Sequence, residues 1–128
     1  MNILITGASR GMGLNHAKIF NKSNNKLFLT DISKSAFSVF HNENDKKNFI
    51  KIFQNNNIKS FYGDLTVFSE SKKIINHALK WFDNDIDIVI CNAGGDIPGK
   101  SITGYADKAK INDYMISSKE FSEIFNRN

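Results

Sequence analysis

A glycine-rich segment near the N-terminus limits the possible folds of this chain more than any other part of it. The segment Thr6-Gly7-Ala8-Ser9-Arg10-Gly11-Met12-Gly13 has the form T-G-x-x-x-G-x-G. The apolar run Asn2–Thr6 before it predicts a buried strand, and the apolar periodicity from Gly11 to about Ser23 predicts a helix. Because backbone N–H groups and the helix dipole favour an anion at a helix N-terminus, this arrangement is typical of a phosphate site.

Each glycine of the segment has a predicted role. Gly7 permits a tight turn, Gly11 lets the backbone approach a phosphate without an intervening Cβ, and Gly13 lets the helix pack closely on the sheet. A purely structural turn is the alternative, but the strand–loop–helix context favours binding. The candidate binding residues of the segment are Gly7, Ser9, Arg10, Gly11, Met12 and Gly13.

Strands and helices alternate along the rest of the chain. Further strands are predicted at 26–30, 58–62 and 86–91, and further helices at about 44–54, 66–82 and from 119 onward. The first helix has the apolar residues Met12, Leu14, Ala17, Ile19 and Phe20. The predicted apolar face of the helix over 66–82 is Val67, Ile74, Ile75, Ala78, Leu79 and Phe82. This alternation predicts an α/β fold with a parallel sheet and crossover helices.

An acidic residue, Asp31, follows the second predicted strand. A carboxylate at this place in a dinucleotide-binding fold accepts hydrogen bonds from the adenosine ribose hydroxyls. It also repels the 2′-phosphate of NADP and so favours NAD, whereas Arg10 in the glycine-rich segment would pair with that phosphate. An ordinary turn or helix-capping Asp is the alternative for Asp31.

Polar and small residues also follow the third and fourth strands. Asp64, before Leu65, would accept a hydrogen bond from an adenine amino group; capping the helix ahead of Thr66 is its alternative role. Asn92 would tie neighbouring strands together through its amide. The small residues that follow it, Ala93 and Gly94, would let the backbone come close to a ligand.

Taken together, these residues resemble the short-chain dehydrogenase/reductase family. The resemblance runs from Asn2 to Asn128 and implies a Rossmann-type doubly wound parallel sheet, truncated after the fourth strand and the start of the following helix. It implies an incomplete NAD(P)-binding domain over 1–128, with NAD favoured over NADP as the cofactor. The cofactor-binding positions beyond the glycine-rich segment are Asp31, Ile32, Asp64, Leu65, Asn92, Ala93 and Gly94.

The family's reaction is hydride transfer between the nicotinamide and an alcohol or carbonyl substrate. It uses a Tyr and a Lys four residues apart with an upstream Ser, so that the ammonium lowers the pKa of the phenol. The residues four places after Tyr62, Tyr105 and Tyr114 are Thr66, Ala109 and Ser118. The chain therefore lacks the catalytic set and is expected to be inactive alone; Asn128 resembles the family's catalytic Asn. A non-catalytic nucleotide-binding module or a truncated gene product is the alternative.

Composition excludes several other classes of protein. The net charge is +4, but only two of the 17 basic residues are arginines and the lysines are scattered, which indicates a solvated surface rather than a nucleic-acid site. One cysteine, Cys91, excludes internal disulfides, and the three histidines lack metal-ligand spacing. We expect no signal peptide, no membrane span and a cytoplasmic location. Homo-oligomers are left open for a longer parent protein.

Overall fold

The described part of the chain contains four parallel strands and two helices. The computed structural model describes residues 1–34 and 55–94, together with residues 119, 122, 125 and 126. The chain divides into two compact units, Met1–Ala93 and Gly94–Asn128. The elements of the first unit are β1 (Asn2–Thr6), α1 (Gly11–Asn21), β2 (Lys26–Asp31), β3 (Ile58–Tyr62), α2 (Phe68–Trp81) and β4 (Ile88–Ile90).

The described strands form one sheet in the order β3-β2-β1-β4, and every pairing is parallel. The register pairs Ile3 of β1 with Leu27 on one side and with Ile88 on the other. Since parallel strands have their carboxyl ends at one edge, the segments after β1, β2, β3 and β4 meet there. The predicted α/β fold with a parallel Rossmann-type sheet is confirmed.

Both faces of the sheet are covered, which explains why its central strands read as continuous apolar runs. The core on the face of α1 contains Ile3, Ile5, Ala8, Ala17, Leu27, Leu29 and Ile58. The core on the face of α2 contains Leu4, Phe28, Ile74, Ala78 and Phe82. In the second core, Phe28 and Phe82 meet edge to face with ring centroids 6.3 Å apart, a geometry that aromatic pairs favour.

The predicted apolar faces of the helices were too wide. Met12 and Ile19 are 73% and 51% exposed. They lie seven residues apart and so share the side of α1 opposite to the buried Leu14 and Ala17. Similarly, Ile75 lies at the margin of the buried stripe of α2 and is 41% exposed.

Several element boundaries also differ from prediction. Helix α2 begins at Phe68 rather than at 66, because residues 64–67 form a separate turn, which also leaves Val67 43% exposed. Strand β4 spans Ile88–Ile90 rather than 86–91. Before it, the backbone N–H of Asp87 donates to the Asn2 carbonyl at 3.0 Å, and the Asp87 carboxylate accepts the backbone N–H of Asn2 at 2.7 Å.

Within the second unit, the described residues 119, 122, 125 and 126 have helical backbone, in the region where the last helix is predicted. The predicted helix over 44–54 and the segment 95–118 lie outside the described residues, as does Asn128. In the part of the chain that the structure describes, no helix has the length and apolar composition that crossing a bilayer requires.

Candidate functional site

Residues 7–13 of the glycine-rich segment cross the carboxyl edge of the sheet and are bonded to the end of β2. The backbone N–H of Ala8 donates to the Thr30 carbonyl at 3.1 Å. The next N–H, that of Ser9, donates to Asp31 Oδ2 at 3.0 Å. Ser9 is 1% exposed, so this half of the segment is held in a fixed, buried position.

At two glycines of the segment, neighbouring atoms lie too close to leave room for a Cβ. Gly7 has a φ of +60°, and a Cβ there would stand 2.9 Å from Ala93 Cα. A Cβ on Gly13 would overlap the Gly7 carbonyl oxygen and lie 2.7 Å from Asn92 Nδ2. The start of α1 therefore packs directly on the turn after β1, as the spacing of the glycines predicts.

Among the described residues, no side chain accepts the first N–H groups of α1. Its N-cap residue, Arg10, makes no side-chain capping bond, and its first turn contains no acidic residue. A helix leaves its first N–H groups without intrahelical acceptors. Gly11 has a φ of +53°, and no atom of the described residues lies within 4 Å of where its Cβ would be. A helix N-terminus without a capping side chain is of a kind that suits an anion.

Asp31, at the end of β2, faces the glycine-rich segment. Its Oδ2 accepts the Ser9 N–H, and its Oδ1 accepts the N–H of Ile32 at 2.8 Å. These two bonds orient the carboxylate next to the segment, and each oxygen retains a second lone pair. Ile32 itself is 62% exposed.

In the turn after β3, Asp64 is not the N-cap of α2, because that position is occupied by Val67. Asp64 Oδ1 accepts hydrogen bonds from the Thr66 N–H at 2.9 Å and from the Thr66 hydroxyl at 2.7 Å. This places Asp64 in a side-chain turn just ahead of α2. The Leu65 side chain is partly buried and packs against the core on the face of α2.

Thr6 joins the end of β1 to the segment after β4. Its Oγ1 accepts the N–H groups of Asn92 at 3.0 Å and Ala93 at 2.9 Å, and donates to the Ile90 carbonyl at 3.4 Å. Asn92 Nδ2 donates to the Gly7 carbonyl at 3.3 Å, so the amide ties neighbouring segments together as predicted. Sequence reasoning gave Thr6 no role; a hydroxyl ending an otherwise apolar strand was the available signal.

The structure thus brings most of the predicted positions to one edge of the first unit. The glycine-rich segment contacts Asp31 on one side and the Asn92–Ala93 segment on the other. Gly94 is exposed and belongs to the second unit, and the predicted catalytic residue Asn128 lies outside the described residues. Their roles, and cofactor binding by the other positions, stay predictions.

The Thr6 hydroxyl is expected to stabilise this edge measurably. Thr6→Val keeps the shape of the side chain but leaves the N–H groups of Asn92 and Ala93 without their acceptor, which should lower the free energy of unfolding by about 2 kcal/mol. Urea unfolding measures this change, and amide hydrogen exchange should accelerate at Asn92 and Ala93. Thr6→Ser, which retains the hydroxyl, is the control. Equal stability and equal exchange in Thr6→Val and the unaltered chain would contradict the role.

Metal chemistry has no support at the described positions. Within residues 1–34 and 55–94 and the four described residues of the second unit, no group of three or more His, Cys, Asp or Glu side chains is placed to hold a metal ion. The site is built instead from backbone N–H groups, two carboxylates and closely packed glycines.

The chain matches known proteins in sequence pattern and in structure. A family model described as short chain dehydrogenase matches residues 1–128. No curated protein sequence matches the chain significantly.

Solved structures match the fold over 98% of the chain. A short chain dehydrogenase from Bacillus anthracis has 22% identity and a TM-score of 0.71, and the chain covers 44% of it. A 3-ketoacyl-(acyl-carrier-protein) reductase from Brucella melitensis, complexed with NADH, has 21% identity and a TM-score of 0.69, with 43% covered. An actinorhodin polyketide ketoreductase with NADPH has 14% identity and a TM-score of 0.69, with 40% covered. The chain thus spans less than half the length of each of these structures.

Proposed function

The chain belongs to the short chain dehydrogenase family, and on that premise we propose that its first unit binds a nicotinamide dinucleotide, with NAD preferred over NADP. The observation that carries the proposal is the N-terminus of α1, where no side chain of the described residues caps the N–H groups and none of their atoms lies near the Cβ position of Gly11. The diphosphate of a dinucleotide is the anion that such a terminus favours in this type of fold.

The residues around the helix terminus fit the other parts of the cofactor. Asp31 would hold the adenosine ribose through its carboxylate, and Asp64 with the Leu65 backbone would meet the adenine. Asn92 and Ala93 would border the cofactor on the β4 side, where their close packing on Gly7 lets the main chain approach a ligand. When bound, the nicotinamide would supply the hydride chemistry, whereas these residues would bind and orient the cofactor.

For a longer protein containing this chain, we propose hydride transfer between the nicotinamide and an alcohol or carbonyl substrate. The structures that are similar in fold include proteins crystallised with NADH and with NADPH, which supports this class of reaction. The 128 residues contain no Tyr followed four places later by Lys. We therefore expect the chain alone to bind the cofactor without turning over a carbonyl substrate.

Isothermal titration of the purified chain with NADH tests the binding proposal. We expect saturable binding at one site per chain, with weaker binding of NADPH. If neither NADH nor NADPH gives a binding signal, the proposal is overturned. Consumption of NADH in the presence of a carbonyl substrate, followed at 340 nm, would contradict the expected lack of turnover.

Asp31 is expected to set the preference between the two dinucleotides. Asp31→Asn removes the negative charge but keeps an oxygen for the Ser9 N–H. Because the 2′-phosphate would no longer face a carboxylate, the ratio of the NADPH and NADH dissociation constants should fall by about tenfold or more. The measurement is a pair of titrations on each protein. An unchanged ratio would show that Asp31 has only its structural bonds to Ser9 and Ile32.

A further inference from the structure

The turn between β3 and α2, residues 63–67, has one backbone N–H group that lacks the hydrogen-bond acceptor that the others have among the described residues. The N–H of Gly63 donates to the Asp31 carbonyl at 3.0 Å, that of Asp64 to Glu70 Oε2 at 2.5 Å, and that of Thr66 to Asp64 Oδ1. The Val67 N–H donates to the Asp64 carbonyl at 3.1 Å. Among the described residues, only the N–H of Leu65 in this turn has no acceptor.

Two side chains from the first turn of α2 hold residues 63–67 in this geometry. Besides the bond from Asp64 to Glu70, the Ser71 hydroxyl donates to the Leu65 carbonyl at 2.9 Å. Gly63 permits this approach, since a Cβ there would lie 3.1 Å from Glu70 Oε2. Both bonds flank the Leu65 peptide, one before it and one after it.

We infer that Glu70, assisted by Ser71, is a positioning residue that makes the proposed site selective for adenine. Glu70 takes up the Asp64 N–H and fixes the main chain, so that the Asp64 carboxylate and the Leu65 N–H form a rigid acceptor–donor pair. This inference rests on the proposed dinucleotide function.

The pair matches adenine and not its deaminated form. The adenine edge presents a donor, its N6 amino group, next to an acceptor, N1. Hypoxanthine presents the reverse, an oxygen next to N1–H, so its oxygen would face the Asp64 carboxylate. A site whose polar groups fit one such pattern rejects the other, because mismatched groups are left unpaired or repel each other. That discrimination depends on the turn being held still, which is the role assigned to Glu70.

The test compares reduced NAD with its hypoxanthine analogue, reduced nicotinamide hypoxanthine dinucleotide. The unaltered chain should bind NADH more tightly than the analogue. Glu70→Ala should weaken NADH binding by about tenfold and leave binding of the analogue nearly unchanged, so that the preference for adenine narrows. Glu70→Gln, which retains an acceptor oxygen, should restore the preference, and Ser71→Ala should narrow it to a lesser degree.

The controls separate positioning from folding and from the proposed function. Lys72→Ala alters an exposed side chain of the same helix turn and should leave the preference unchanged. If Glu70→Ala and Ser71→Ala both fold and both keep the preference of the unaltered chain for NADH over the hypoxanthine analogue, the inference is overturned. If the unaltered chain binds NADH and the hypoxanthine analogue equally, the inference fails and dinucleotide binding stands. If it binds neither, the proposed function fails with it.

Discussion

Gly13→Ala is expected to lower the free energy of unfolding by about 3 kcal/mol, at the upper end of the range for overpacking a buried site. The added methyl group would overlap the Gly7 carbonyl oxygen and stand 2.8 Å from the Gly7 carbonyl carbon. Both are main-chain atoms in a turn bonded to its neighbours, so α1 would have to move away from the sheet. In a chain of this size the melting temperature should fall by roughly 10 °C.

Gly11→Ala is the matched comparison for this effect. Gly11 has open space around its Cβ position but a φ of +53°, so an Ala there should cost about 1–2 kcal/mol through backbone strain alone. Urea unfolding of both variants distinguishes a steric requirement from a conformational one. If Gly13→Ala were no less stable than Gly11→Ala, the close packing of α1 on the Gly7 turn would be contradicted.

Met12→Glu is expected to weaken NADH binding by about 10- to 100-fold while the fold stays intact. Met12 is 73% exposed, so losing its side chain removes little buried surface. An acidic residue in the first turn of a helix stabilises it by about 0.3–1 kcal/mol. The same carboxylate would repel a diphosphate, with an energy of about 3 kcal/mol for unit charges roughly 5 Å apart near a protein surface. Stability and binding should therefore change in opposite directions.

Ile19→Glu provides the control for this substitution. Ile19 is also exposed, on the same side of α1 but near its C-terminal end, where an acid should slightly destabilise the helix and leave NADH binding unchanged. Calorimetric titrations at low and high salt complete the experiment, because electrostatic repulsion should diminish as ionic strength rises. Equal binding by Met12→Glu and the unaltered chain would mean that the anion does not sit at this terminus.

The strands and the glycine packing could be predicted from the sequence because their signals are local. The runs at Asn2–Thr6 and Ile58–Tyr62 have the bounds that their residues indicate, since a glycine follows each of them. The glycine spacing in T-G-x-x-x-G-x-G likewise predicted both the turn at Gly7 and the contact of Gly13.

Features that depend on tertiary partners were harder to predict. Apolar periodicity does not show how wide the buried face of a helix is. Met12 and Ile75 were therefore predicted to lie on the apolar faces of their helices, although both side chains are exposed. The sequence left open whether Asp64 binds a ligand or caps a helix, and the position of the helix start at Phe68, with Val67 as its N-cap, shows that Asp64 lies before the cap. The bonds of Thr6 to Asn92 and Ala93 join residues more than 80 positions apart, so the hydroxyl at the end of β1 did not by itself identify its partners.

The central claim is that the first N–H groups of α1 bind the diphosphate of a dinucleotide. The most direct test is a titration of the ¹⁵N-labelled chain with NADH, followed by two-dimensional ¹H–¹⁵N NMR. We expect the amide resonances of Gly11, Met12 and Gly13 to move the most, together with that of Ser9 beside Asp31. Saturable binding that leaves the Gly11, Met12 and Gly13 amides unperturbed would contradict the account.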